Sequence, residues 1–159
     1  MEKGQRCIAV VRVRGQGDVR GEIEDTMRML NLNRIYHATI IDDRPSYLGM
    51  LHKAQNYITW GEVSKETLSL LLSRRGRTLG NRKLTDEFLK TMGYNSIEDL
   101  AEDIYSLKVE FRKLEKVKPI FRLHPPRKGM RSSVKKSWKS GGATGYRGEA
   151  INDLLKRMM

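Results

Sequence analysis

The chain has 159 residues, 38% of them hydrophobic, and carries a formal net charge of +12. This length predicts one domain of ordinary size, or a small domain with an elaboration, and the sequence pI of about 10.0 favours nucleic acid or an anionic membrane surface as partner. A membrane span is excluded because the longest apolar run, Cys7 to Val11, is far shorter than the roughly 20 residues required. One cysteine excludes an intramolecular disulfide, and no signal-peptide pattern precedes this run, so we expect a soluble, cytoplasmic protein.

The chain begins with a strand pattern followed by a helix pattern. The short β-branched run from Cys7 to Val13 predicts a strand that ends at Gly15. Four apolar residues then recur at the spacing of a helix: Val19, Ile23, Met27 and Leu30. Asp18, which precedes them, is expected to cap that helix. Turn residues Asn31 and Asn33 follow the last of them and predict its end.

The pattern then repeats. Residues 35–41 predict a second strand, and the acidic pair Asp42 and Asp43, with Pro45 near the first helical position, predicts a helix start. Residues 57–60 predict a third strand. The first 63 residues therefore predict a β-α-β-α-β unit, a small sheet with helices on one face.

Residues 64–117 contain three helix patterns, with Ser64, Thr85 and Ser96 as their N-caps. Residues 108–117 alternate charged and apolar groups, which leaves a helix tail and a strand both open. Between the first two helices lie five cations and no acid, which predict a contact patch for a polyanion: Arg74, Arg75, Arg77, Arg82 and Lys83.

Residues 118–147, the basic stretch, hold nine Lys or Arg and no Asp or Glu, so three quarters of the net charge lies here. A segment with one sign of charge and few apolar side chains cannot fold by burying its own surface, so we expect it to become ordered against a polyanion. The amphipathic segment from Glu149 to Met159 predicts a closing helix. That helix would make the basic stretch a tethered loop and not a loose tail.

Candidate catalytic and metal-binding residues lack the spacing that such sites need. Asp42 and Asp43 are adjacent, so their side chains diverge, and helix capping is a better explanation than paired acid–base chemistry. Cys7 is best explained as a small core side chain. The histidines lack metal-type spacing: His37, His52 and His124. We therefore predict no enzyme activity, no cofactor and no metal site.

A hydrolase remains an alternative because of the strand–turn–helix opening. Gly15 and Gly17 lie where a phosphate-binding turn can occur, but the glycine fingerprint is incomplete and no Walker lysine follows, so a plain turn is favoured. The same opening, with Arg20 nearby, resembles acylphosphatase-type enzymes, which hold an acyl phosphate with an Arg and an Asn. Asn31 or Asn33 would have to supply the second group.

The order of several segments carries a family resemblance. Residues 8–63 contain IAVVRVRG, DTMRMLNLNRIYHATII and RPSYLGMLHKAQNYITWGEV, and residues 64–159 contain LHPPRKGM and GGATGYRGEAINDLLKRMM. Over essentially its whole length the chain resembles the long archaeal and eukaryotic form of the L-thirty family of large-subunit ribosomal proteins (eukaryotic L-seven). Residues 8–63 are similar to the short bacterial version, and the remainder is similar to the extension of the longer members. Lys128 departs from the pattern, since many members have glycine in that loop.

The resemblance implies an α+β fold with a β-α-β-α-β core, in which a three-stranded antiparallel sheet has helices on one face, related to ferredoxin-like folds. It also implies a structural protein of the large ribosomal subunit that binds large-subunit rRNA beside other large-subunit ribosomal proteins, with the extension reaching toward 5S rRNA. We divide the chain into a core domain (1–63), a helical extension (64–117) and a basic RNA-binding loop closed by a C-terminal helix (118–159).

The residues predicted to contact RNA form three groups. The cation patch at residues 74–83 is one, and Arg14 and Arg20 after the first strand are another. The main group lies in the basic stretch: Arg127, Lys128, Arg131, Lys135, Lys136, Lys139 and Arg147, with Trp138 and Tyr146 as stacking candidates. Contacts to the RNA backbone and shape are expected, because no base-reading helix stands out. A general DNA- or tRNA-binding protein has the same electrostatics and stays an alternative.

Overall fold

In the computed structural model, which describes residues 6–15, 17–130 and 133–159, one mixed sheet is sandwiched between helices. The strands are β1 (Cys7–Arg12), β2 (His37–Asp42), β3 (Ile58–Glu62), β4 (Phe121–Arg122) and β5 (Gly145–Tyr146). The helices are α1 (Gly21–Met29), α2 (Pro45–Lys53), α3 (Lys65–Arg75), α4 (Asp86–Lys90), α5 (Ile97–Tyr105) and α6 (Ile151–Met158). Within these described residues, every helix is too short or too polar to cross a membrane.

The centre of the sheet is the predicted antiparallel unit. Strand β1 lies between β2 and β3 and pairs antiparallel with both, with Val10 opposite Thr39 on one side and opposite Trp60 on the other. The complete order is β4-β2-β1-β3-β5, so the predicted number of three strands is wrong. Both additional strands are only two residues long. An alternating apolar pattern cannot be recognised in two residues, so the sequence does not predict these strands.

Each side of β1 packs into a different hydrophobic cluster, because alternate residues of a strand point to opposite sides of the sheet. Ile8 and Val10 pack with α1 and α2, as expected for helices on one face of the core. Ala9 and Val11 point the other way, into a second cluster built largely from the extension and including Leu68, Leu100, Leu154 and Leu155. The sheet is therefore covered on both faces. The second cluster draws residues from all three proposed segments, and the division into those segments stays a prediction.

Local capping signals set the helix starts in the extension. The hydroxyl oxygens of Ser64, Thr85 and Ser96 each accept a hydrogen bond from the backbone N–H three residues later. This confirms all three predicted caps. Each such bond satisfies one of the N–H groups that a helix start leaves without a partner, and is typically worth about 1 kcal/mol.

The predicted acidic caps of the first two helices are wrong. Asp18 lies in the preceding turn with a positive φ of 53°, and α1 begins only after Arg20, without a side-chain cap. Pro45 does open α2, but the residue before it is Arg44, whose guanidinium pairs with Asp42 at 2.7 Å. The Asp42 carboxylate therefore forms an ion pair and does not cap the helix. The local sequence pattern is the same in both cases, so it cannot distinguish them.

Residues 108–117 form neither a helix tail nor a strand. A short 3-10 turn spans Phe111–Lys113. It places the Phe111 ring flat against Phe121 of β4, with centroids 4.8 Å apart, and both side chains are buried. The turn therefore anchors the start of the basic stretch in the core.

The described parts of the basic stretch are held by the fold itself, which differs from the expectation that they need a polyanion. Strand β4 pairs with β2 at one edge of the sheet, and β5 pairs with β3 at the other. Between them the backbone N–H groups of His124 and Arg127 donate to carbonyls of Met158 and Arg157 near the end of α6. The predicted closing helix is confirmed, with its buried side formed by Ile151, Leu154, Leu155 and Met158. Backbone pairing and a few apolar anchors provide this order, and most of the described cations of the stretch keep exposed side chains.

Candidate RNA-binding surface

The cation patch forms a closed loop, here called the arginine loop (residues 74–83). It begins at the end of α3 and folds back so that Arg77 and Lys83 pair in an antiparallel bridge. Leu84, which follows the loop, is buried and donates its N–H to the Gly76 carbonyl, which anchors the loop to the core. Arg74, Arg82 and Lys83 are exposed, and Arg75 and Arg77 are half-buried.

The structure brings the arginine loop together with the start of the basic stretch. The Lys118 N–H donates to the Arg77 carbonyl at 2.9 Å, and the Leu79 N–H donates to the Lys116 carbonyl at 3.2 Å. Leu79 at the loop tip is 60% exposed. Two basic segments that are distant along the chain thus lie side by side.

A second compact loop, here called the lysine loop (residues 133–144), presents three predicted RNA contacts. The Lys136 carbonyl accepts hydrogen bonds from the backbone N–H groups of Ala143 and Thr144 and from the Thr144 hydroxyl. Glycine is required at position 142, because a Cβ there would lie 1.9 Å from the Lys136 carbonyl oxygen. The loop holds its side chains outward, and these are exposed: Lys135, Lys136 and Lys139.

Arg127 and Lys128 lie on a turn beside the end of α6. The Arg157 guanidinium donates to the carbonyls of Arg127 and Gly129, at 3.2 and 2.9 Å, which secures the turn while both predicted cations stay exposed. Lys128 has a φ of +65°, a left-handed conformation that favours glycine. This agrees with the glycine expected there from the family pattern. Arg131, the remaining prediction in this part of the chain, lies outside the described residues.

Arg147 is buried, 7% exposed, and supports the fold. Its Nε donates to the Thr59 hydroxyl at 2.8 Å, its terminal nitrogen donates to the Ala143 carbonyl at 2.7 Å, and its guanidinium lies 4.6 Å from the centre of the Trp138 ring. This position argues against the predicted direct RNA contact. We therefore leave Arg147 out of the candidate surface. Trp138 itself is half-buried.

Tyr146 is 42% exposed and is fixed by a carboxylate. Its hydroxyl donates to the Glu62 carboxylate, with oxygen–oxygen distances of 2.6 and 2.8 Å. Burial raises the pKa of Glu62, but the hydrogen bonds from Tyr146, the backbone and Arg6 outweigh it, and the net pKa lies below the usual range. The hydrogen bond to Glu62 and burial both raise the pKa of Tyr146, so its hydroxyl stays protonated at neutral pH.

Of the two residues proposed after the first strand, Arg14 contacts the segment that leads into β3. The Arg14 guanidinium lies 4.7 Å above the Tyr57 ring and donates to the Asn56 carbonyl at 3.4 Å. Arg20 is exposed just before α1, whereas Asn31 follows the end of that helix. At about 1.5 Å per residue, roughly 16 Å of helix separates Arg20 from Asn31, too far for both to hold one acyl phosphate.

Cys7 lies in the core and is unsuited to nucleophilic catalysis. Burial and the nearby Asp42 raise the pKa of the Cys7 thiol to about 12, so it is not a nucleophile at neutral pH. It is buried in the core, as predicted. Among the described residues, His, Cys, Asp and Glu side chains form no group that could hold a metal ion.

Arg122 is a surface cation that the sequence analysis did not select. It lies on β4 beside the fully buried Phe121, and its own side chain is exposed. An apolar residue followed by a basic one is the pattern of a strand with one buried and one exposed side chain. Two residues are too few for that pattern to predict a strand. Arg122 extends the basic surface along the edge of the sheet.

Comparisons with known proteins agree with this arrangement. A sequence profile of the family described as Ribosomal protein L30p/L7e matches residues 8–58, from β1 to the start of β3. The large ribosomal subunit protein uL30 of Methanosphaera stadtmanae is 49% identical over 152 residues, covering 95% of this chain and 99% of that protein. The uL30 protein of Methanopyrus kandleri is 51% identical over 149 residues, covering 92% and 100%, and that of Thermofilum pendens is 48% identical over 151 residues, covering 94% and 97%. The similarity continues through the extension, and the chain therefore belongs to the uL30 family of large ribosomal subunit proteins.

Proposed function

We propose that this protein is a structural constituent of the large ribosomal subunit, where it binds large-subunit rRNA in the cytoplasm and supports subunit assembly and translation. The observation that carries the proposal is an acid-free stretch that is built into both edges of the sheet and exposes its cations. The family relationship supports the same role, because relatives that are about half identical over nearly their whole length are named large ribosomal subunit proteins.

The distribution of charge favours binding to the RNA backbone. Six cations of the basic stretch are exposed in the described residues: Arg122, Arg127, Lys128, Lys135, Lys136 and Lys139. They extend from one sheet edge to the other, with the arginine loop as a second contact area, so the surface suits an extended polyanion more than a small anion. If these six neutralise phosphates, the logarithm of the binding constant should fall with the logarithm of salt concentration with a slope of roughly −4 to −5.

Sedimentation of a native cell lysate tests the ribosomal role. We expect the protein to travel with large subunits on a sucrose gradient and to remain there after a wash at moderate salt, because many phosphate contacts must break together. A protein that stays at the top of the gradient would contradict the proposal.

Charge reversal on the lysine loop tests the binding surface. The triple variant Lys135→Glu, Lys136→Glu and Lys139→Glu should abolish binding to large-subunit rRNA while its circular dichroism stays unchanged, because the loop is held by backbone groups. Reversal of three exposed lysines elsewhere is the matched control, with the same change in net charge: Lys90, Lys108 and Lys113. Equal losses in both triple variants would show a general charge effect and would reject the lysine loop as a contact.

The finer location is also proposed: the extension faces the region of 5S rRNA and contacts neighbouring large-subunit proteins. This rests on the family resemblance. Crosslinking from a cysteine introduced at Leu79, the exposed tip of the arginine loop, should label 5S rRNA or residues next to it in isolated subunits. Labelling confined to distant parts of the large-subunit rRNA would contradict it.

The two alternatives are tested by simple assays. Duplex DNA or tRNA that competes as well as large-subunit rRNA would favour a general nucleic-acid-binding protein. Turnover of a simple acyl phosphate that is lost in Arg20→Ala would favour a hydrolase, although the separation of Arg20 from Asn31 argues against it.

A further inference from the structure

A surface pocket lies between the end of α2, strands β3 and β5, and the lysine loop. It has a volume of about 190 Å³ and is lined by four aromatic side chains: His52, Trp60, Trp138 and Tyr146. The chain has two tryptophans, and both line this pocket.

The ring of Trp138 is held in place from behind. The backbone N–H of Trp138 donates to the Thr144 carbonyl at 2.7 Å, which fixes the main chain, and the Arg147 guanidinium lies 4.6 Å from the ring centre. Arg147 is in turn fixed by Thr59 of β3 and by Ala143. The tryptophan is thus attached to the sheet through a buried arginine and does not depend on the exposed loop alone.

The other rings are fixed against one another. Trp60 is 4% exposed, and its ring lies 6.1 Å from His52 in an edge-to-face arrangement and 6.4 Å from Tyr146 in a tilted one. The Tyr146 hydroxyl is bound to Glu62. A planar ligand would therefore meet rings that are already oriented, and little side-chain entropy would be lost on binding.

The polar surroundings favour a nucleotide that belongs to a longer strand. Lys139 and Gln55 also line the pocket, and Lys135 and Lys136 are exposed on the same loop. In the described residues, no Asp or Glu lines it. Flat rings beside several cations match a base and its flanking phosphates, whereas an acidic peptide would use the lysines and leave the rings without a stacking partner.

We propose that this aromatic pocket takes one unpaired base of an RNA strand, stacked against Trp138 and Tyr146, with the lysine loop on the flanking phosphates. The inference deepens the proposed function and rests on it, since it names the kind of nucleotide that one part of the surface recognises. It adds a stacking contact with one base to binding that otherwise depends on charge and shape.

Tryptophan fluorescence of the full chain tests the pocket directly, because both tryptophans report from it. The probe is an unstructured mixed-sequence oligoribonucleotide of about twelve nucleotides, compared with an abasic strand of the same length. We expect the first to quench fluorescence and to bind about tenfold more tightly than the abasic strand, since each stacked base contributes measurably to affinity. Adenosine monophosphate at the same concentration should quench much less, because it lacks the flanking phosphates.

Three variants, each checked for its fold by circular dichroism, separate stacking from charge. Tyr146→Leu should reduce the affinity for the oligoribonucleotide to that of the abasic strand, whereas Tyr146→Phe, which keeps the ring, should retain most of the difference. His52→Ala, at an exposed position on α2, should lower the affinity and alter the quenching without unfolding the protein.

Failure of the pocket can be distinguished from failure of RNA binding. Equal binding of the base-containing and abasic strands, with both still lost in the lysine-loop triple variant, would overturn the pocket and leave the proposed function standing. Absence of salt-sensitive binding to both strands and to large-subunit rRNA would reject both proposals. A polyglutamate peptide that quenches as strongly as the RNA would also overturn the pocket, because it has no base to stack.

Discussion

Arg12 is a charged side chain that the fold buries completely. It follows a run of β-branched residues and is fully buried, at 0% exposure. Its guanidinium donates to both carboxylate oxygens of Glu24, at 3.1 and 3.2 Å, and to the backbone carbonyls of Arg14, Gly15 and Leu32. The ion pair thereby ties β1 to α1 and to the turn after that helix.

We predict that Glu24→Ala lowers the free energy of unfolding by about 3 kcal/mol, because it leaves the Arg12 charge buried without its carboxylate. Denaturation by urea, followed by circular dichroism, measures this change. Glu22→Ala is the matched control on the same helix, since the Glu22 side chain is 85% exposed and its effect should stay within about 0.5 kcal/mol. Similar small effects of the two substitutions would show that the buried pair contributes little to stability.

Lys128 combines an unfavourable backbone conformation with a useful charge. A left-handed φ costs a residue with a Cβ about 1 kcal/mol relative to glycine, and part of that is offset by the greater freedom of glycine in the unfolded chain. We predict that Lys128→Gly is neutral or up to about 1 kcal/mol more stable, whereas Lys128→Ala is no more stable than the natural chain.

Both Lys128 variants should weaken RNA binding to a similar extent, since both remove the same cation. Thermal unfolding and a filter-binding titration separate the two effects. A Lys128→Gly variant that is clearly less stable than Lys128→Ala would contradict the left-handed turn at this position.

At the scale of single elements, β5 depends on side chains as much as on its short backbone ladder. The strand has two residues, and its attachment to β3 is strengthened by the Thr59 hydroxyl, which donates to the Gly145 carbonyl at 2.8 Å. The Tyr146–Glu62 hydrogen bond adds a second link between the two strands. The side of the aromatic pocket formed by β5 is thus fixed by contacts outside the lysine loop.

We predict that Tyr146→Phe makes stability less dependent on acid pH. The folded pKa of Glu62 is depressed, so its contribution is present above the unfolded pKa and is lost as the pH falls through the folded pKa. Without the tyrosine hydroxyl the pKa of Glu62 is lowered less. The variant should therefore be less stable than the natural chain near pH 6, and the two stabilities should converge at about pH 3. Urea denaturation across this range measures the difference, and a gap that is constant with pH would contradict the assignment.

At the scale of the whole molecule, the extension acts as the second cover of the sheet. Ala9, Val11, Ala38 and Ile40 are at most 2% exposed and lie in the cluster that α3, α5 and α6 complete. The same extension carries the arginine loop and the basic stretch. The elements that expose the cations are therefore also the elements that bury the second face of the sheet, so the proposed RNA-binding surface is rigidly attached to the core.

We predict that a fragment of residues 1–63 is less stable than the full chain by on the order of 3 kcal/mol or more, since it exposes several apolar side chains that each contribute about 1.5–3 kcal/mol when buried. Thermal unfolding and binding of a hydrophobic dye measure this, and adding the 64–159 fragment should reduce the dye signal. A fragment that unfolds cooperatively at the temperature of the full chain and binds no dye would show that the core is an autonomous domain.

Much of the architecture can be predicted from the amino-acid sequence because the signals are local. The caps at Ser64, Thr85 and Ser96 act over three residues, and the apolar stripe of α6 repeats over two turns. The short apolar run of β1 similarly predicts a strand that is buried on at least one face. The charge of the basic stretch also needs no structure to recognise, since nine cations occur there without an acid.

Other features were decided only by tertiary structure. The edge strands pair residues more than 80 positions apart, Phe121 with Ala38 and Gly145 with Thr59, and nothing in two residues specifies such a partner. Burial divides the arginines for the same reason, since Arg147 lies beneath Trp138 while Arg127 stays on the surface. The sequence by itself determined the helices, the three central strands, their order and the positive charge of the basic stretch, because short-range propensity and composition carry that information. Tertiary structure decided which cations face outward and which aromatic rings share a pocket, because those choices depend on contacts between distant parts of the chain.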